Sequence, residues 1–178
     1  MSEFSESYHL RSERLEDAIE LLRRAKRKGY VYQPVNGWIT FTVEAGQFEP
    51  DMRVVAAANQ PLLHYVCAED HGWNFTLFDQ ANVVSAYRCD WDNEINIDDS
   101  KYERDVLLPF VPAGQLAVFD DFESRLQPQD FDELFEAEPA KLFAQAIGLE
   151  HYDWTSYRGM DNAFHDSTSD NSDMTEVA

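Results

Sequence analysis

The pair Asn36-Gly37, set between the runs YVYQP and WITFTVE, constrains the fold of this chain more than any other feature. Both residues tolerate the positive φ of a two-residue turn, so the flanking runs must lie side by side as an antiparallel hairpin. Upstream, Leu15, Ala18, Ile19, Leu22 and Ala25 recur at steps of three and four between Ser12 and Gly29. That period predicts an amphipathic helix, with Ser12 as its N-cap hydroxyl and Gly29 as its stop. Acids come early in it and bases late, as the helix dipole favours, so the seven bases among residues 11–28 need no ligand to explain them.

The rest of the first half extends the pattern. SYHLR, before the helix, is short and alternating, and PDMRVVAAA reads as a second, two-turn helix with proline at its start. LLHYVCAE, WNFTLFD and VVSAYRCDW are strand-length runs rich in β-branched and aromatic residues, separated by Asp70-His71-Gly72 and Gln80-Ala81-Asn82. The order is β-α-β-β-α-β-β-β. Its first six elements match a ferredoxin-like split βαβ arrangement, extended by a meander. The expected class is therefore α+β, an antiparallel sheet of five to six strands with helices on one face.

Residues 90–138 differ in character. They hold fifteen acids against Lys101, Arg104 and Arg125. Within them VLLPFVPAGQLAVFDDF reads as docked chain broken by Pro109, Pro112 and Gly114. FDELFEAE and AEPAKLFAQAIG read as a C-terminal helical segment, with Pro139 at a first helical position and Gly148 as the end. Residues 161–178 carry five acids, no bases and few apolar side chains, which predicts a disordered acidic tail after a single domain over 1–160. No internal repeat or linker divides the chain.

Charge excludes some functions. The 178 residues carry 34 Asp and Glu against 14 Lys and Arg, a net charge of -20. A surface of that sign repels phosphate backbones and anionic membranes, so neither nucleic acid nor membrane is an expected partner. Two cysteines, Cys67 and Cys89, are too few for a disulfide framework, and no apolar stretch is long enough to span a bilayer, which together predict a cytoplasmic protein.

No G-x-S-x-G, Walker or G-x-G-x-x-G motif occurs, and no cofactor is expected. The candidate catalytic residues are Asp70 and His71, with Glu69, on a turn beside a rigid sheet; turn chemistry by itself accounts for Asp70-His71-Gly72 and is the favoured reading. His64 and Cys67 fall on opposite faces of one strand, so they do not form a metal pair. Asp92, Glu94, Asn96, Asp98, Ser100 and Glu103 mimic the ligand spacing of a calcium loop. Ile97 stands where that loop needs glycine and Asp99 where it needs an apolar residue, so no metal is expected.

The leading expectation is an acidic interaction protein that binds a basic protein partner, as an inhibitor, immunity-type or adaptor protein would. Its densest candidate surface is Asp90, Trp91, Asp92, Glu94, Asp98 and Asp99, where an aromatic anchor sits among carboxylates. The opposing reading makes Trp91 a core residue and the acids a solvated loop. The alternative function is a small-molecule-binding domain or hydrolase with its site near the Asp70-His71 turn.

Overall fold

The computed structural model of the chain describes residues 4–44, 46–166 and 171–178. It is an α+β fold on one antiparallel sheet of eight strands. β1 (Phe4–Arg11) leads through α1 (Leu15–Ala25) to β2 (Gly29–Tyr32) and β3 (Trp38–Val43), then through α2 (Met52–Ala57) to β4 (Leu62–Ala68). β5 (Gly72–Asp79), β6 (Asn82–Trp91) and β7 (Ile95–Asp98) complete the meander. Helices α3 (Arg104–Leu107), α4 (Leu116–Ser124), α5 (Phe131–Ala137), α6 (Pro139–Ala146) and α7 (Tyr157–His165) precede a last strand, β8 (Met174–Val177). The strand order is β7-β6-β5-β4-β1-β3-β2-β8, so the βαββαβ half forms the centre and the meander widens it on one side.

Local chemistry explains the first half. Val35 and Trp38 exchange backbone hydrogen bonds around Asn36 and Gly37, which take φ of 53° and 78°, both left-handed as the tight turn requires. Helix α1 buries Ala18, Leu21, Leu22 and Ala25. Its ends differ from expectation. Ser12 Oγ accepts from Arg14 N and donates to Asp17, bracing the entry from outside the helix, and Lys26 in a left-handed state closes the exit. Gly29 lies instead in β2, where a Cβ would fall 2.1 Å from the Thr42 carbonyl oxygen; the two backbones meet too closely for any side chain.

The sheet is larger than five to six strands. The additional strands are β7, within the stretch read as an acidic loop, and β8, within the predicted tail. Ile95 and Ile97 of β7 turn inward while Asn96 and Asp98 stay exposed, so the calcium-like spacing is strand alternation. Residues 161–165 continue α7, and Met174–Val177 pair with β2 and place Val177 in a core, 4% exposed. This corrects the tail expectation for those residues; 167–170 lie outside the described residues.

Helices cover both faces, which corrects the one-face expectation. On the first face α1 and α2 pack over Tyr8, Leu10, Ile39, Phe41 and Leu62. On the second, α4 and α6 bring Phe119, Phe122 and Phe143 onto Trp73, Phe75 and Tyr87. The stretch expected to be docked and irregular supplies α3 and α4, separated by a 3-10 turn at Pro109.

Candidate functional site at one end of the sheet

Two turns, one joining β4 to β5 and the other joining β6 to β7, meet at one end of the sheet. Trp91 N donates to the His71 carbonyl at 2.8 Å, and Trp91 Nε1 donates to the Glu69 carbonyl at 3.0 Å. Gly72 permits that approach, because a Cβ there would lie 2.7 Å from the Cys89 carbonyl oxygen. The start of β1 reaches the same end, with the Phe4 ring centred 6.1 Å from both His71 and Phe48.

The predicted catalytic residues Glu69, Asp70 and His71 are all exposed. His71 faces Asp92 across 3.5 Å, not Asp70, and both partners are largely solvated, so their attraction is weak. Among the described residues Asp70 makes no hydrogen bond or ion pair. These three side chains stand in solvent and do not converge on one another.

The predicted partner surface is divided. Trp91 is 8% exposed, packs edge-on against Phe135 and belongs to the aromatic core, so it is not a free anchor. Asp92 and Glu94 sit at the turn after it. Asp90 and Asp98 project to the first face near Arg88; burial raises the Asp90 carboxyl above the usual range, opposed by Arg88 and reinforced by Glu49 and Asp92. Hydrogen bonds from the Ser100 hydroxyl and backbone hold Asp98 below that range. Asp99 accepts from Gln127 at 2.8 Å. Among the described residues no group of three or more His, Cys, Asp or Glu is placed to hold a metal ion.

Two clefts open at this end, with Trp154 lining both. The first, about 470 Å³, has Trp73 and Trp91 at its floor, Phe135 at its side and Glu69, Asp70 and Glu138 around it. Phe135 and Trp154, 51% and 52% exposed, are the large apolar side chains this cleft presents to solvent. The Trp73 indole N–H has no acceptor among the described residues. Trp154 has φ +54°, a left-handed state uncommon for a bulky residue.

The second cleft, about 690 Å³, opens beside β1 where its pairing with β3 stops at Tyr8. The Glu6 backbone N–H there donates to Thr155 O at 2.8 Å, which brings residues 154–159 alongside. Glu6, 9% exposed, accepts from His64 Nε2 at 3.1 Å and from Phe48 N at 3.1 Å. The Tyr8 ring lies tilted against His64, its hydroxyl accepts from Asp51 N, and burial raises that hydroxyl well above the ordinary range. Phe4, Phe48, Trp154 and Tyr157 form the walls, and Arg158 also lines the cleft.

A third polar cluster lies within the fold. His9, fully buried, bonds Ser7 and Thr40 hydroxyls at 2.9 Å each, and burial, with His151 and His64 nearby, pulls its imidazole down to about 3. All three residues are buried and line neither cleft. Sequence reasoning missed Glu6, Phe48, Phe135, Glu138 and Arg158. No family model, curated protein or solved structure matches this chain. No helix among the described residues is long and apolar enough to cross a membrane.

Proposed function

We propose that the protein is an acidic interaction protein whose first cleft receives a basic, partly apolar segment of a protein partner. The observation that carries this reading is the pairing of two exposed aromatic side chains, Phe135 and Trp154, with the carboxylates of Glu69, Asp70 and Glu138 around one cleft. Rings supply contact area, while carboxylates speed encounter with cations and disfavour acidic competitors. Asp92 and Glu94, on the neighbouring turn, extend the field, and Trp91 acts as a packed floor. Lys141 lies at the rim but is held by Glu138 at 2.7 Å. Cys67 and Cys89 form no disulfide, which accords with a reducing, cytoplasmic setting.

The test is capture on immobilised protein at low and high salt, with wild type compared against a Phe135→Ala/Trp154→Ala double variant. The expected partner is basic, is released by salt, and is retained about tenfold less by the double variant at an unchanged melting temperature. A neutral or acidic partner, or capture indifferent to both salt and the two rings, overturns the reading.

A further inference from the structure

The second cleft carries two opposite charges that do not neutralise one another. Glu6 is nine-tenths buried and spends one hydrogen bond on Phe48 N and one on His64 Nε2, although a carboxylate can accept about four. His64 Nδ1 is buried with no partner. The His64 Nε2 hydrogen bond orients the Glu6 carboxylate. Gly46 lies so close that a Cβ would fall 2.2 Å from Glu6 Oε2, so only glycine backbone fits beside that oxygen.

Arg158 stands in the first turn of α7, exposed, and makes no ion pair or hydrogen bond among the described residues. It lines the same cleft as Glu6 without pairing with it. A purely cationic ligand would meet the guanidinium, and a purely anionic one the buried carboxylate. A molecule bearing both charges answers both groups.

We infer that this cleft binds a free α-amino acid with a large apolar side chain, its ammonium toward Glu6, its carboxylate toward Arg158, and its side chain among Phe4, Phe48, Trp154 and Tyr157. The volume, about 690 Å³, falls within the ordinary range for small-molecule sites, and the aromatic walls favour an apolar or aromatic substituent while also stabilising an ammonium. This inference does not depend on the protein-partner reading, since the two clefts share only Trp154.

Calorimetric titration of the whole protein with phenylalanine and tryptophan, and with their N-acetyl and C-amide derivatives, tests it. The free amino acids are expected to bind, and blocking either end to weaken binding about tenfold or more, the loss of one charge-assisted hydrogen bond. Glu6→Gln is expected to make binding insensitive to N-acetylation, and Arg158→Met to make it insensitive to amidation. Because Glu6 is buried and its variant can fail to fold, the exposed Arg158 provides the independent check. If Arg158→Met binds the free amino acids as tightly as wild type does, or if natively folded wild type shows no binding at about 10 mM ligand, the inference is overturned.

Discussion

The two faces of the same central strands are built from different chemistry. β1 and β3 send Tyr8, Leu10, Ile39 and Phe41 to the first face, where α1 and α2 seal an apolar core. They send Ser7, His9, Thr40 and Thr42 to the second, and these are buried as well. There the polar groups answer one another: His9 joins Ser7 to Thr40, Thr42 donates to the Met160 sulfur at 3.2 Å, and Thr155 N donates to Ser5 Oγ at 3.2 Å. Burial on both sides of a sheet therefore does not require apolar residues on both sides, provided that each polar group finds a partner. The second face is held apolar mainly at β4, β5 and β6, by rings.

That contrast can be broken most forcefully at the ring cluster. Phe143 stacks on Phe75 with centroids 4.1 Å apart, and Phe143→Ala should cost about 3–5 kcal/mol in urea unfolding, against about 2–5 kcal/mol for Leu21→Ala on the first face. An unchanged midpoint for Phe143→Ala would show that the second face is loosely covered. A smaller effect is expected at β8. Truncation before Met174 removes the β2 pairing and the burial of Val177, about 1.5–3 kcal/mol from the side chain, read as a fall in melting temperature. An unaltered melt would detach β8 from the cooperative fold.

The smallest effect at neutral pH, and the most specific, belongs to His9. Its imidazole falls from about 6.5 to about 3 on folding, so below pH 6.5 the unfolded chain binds a proton that the native chain does not. Its contribution to stability is full above pH 6.5 and is lost as pH falls toward 3. His9→Gln keeps hydrogen-bonding capacity without that titration, so wild type should lose stability relative to the variant across this window. Parallel pH profiles would mean that His9 is protonated or solvated in the native state.

The difference between the faces also explains what was legible in the sequence. The hairpin, α1 and the meander follow from turn residues and local periodicity, and they emerge as expected. The polar positions of SYHLR and WITFTVE suggest a face open to water; their burial depends on helices more than a hundred residues away. Ile95 and Ile97 carry a strand alternation that the surrounding acids obscure, and Met174–Val177 becomes a strand through pairing with β2 alone. At the site, the turns bearing His71 and Asp92 are local features, and their adjacency follows from the meander. Glu6, Phe48 and Arg158 come from three separated segments, and no spacing in the chain announces that they share a cleft.

β1, the first strand in the chain, lies in the middle of the sheet between β4 and β3. During vectorial synthesis it must wait for both neighbours, and the sheet can then grow outward through β7 before α4 and α6 exist to cover it. At that stage its small polar strip tolerates water, but Trp73, Phe75 and Tyr87 face solvent as an adhesive surface. Exposed rings and unpaired strand edges are what nascent chains aggregate through. The helices that follow the meander thus act as a late shield, and the acids of α4 and α5 give the shielding segment a charge that repels copies of itself while it docks.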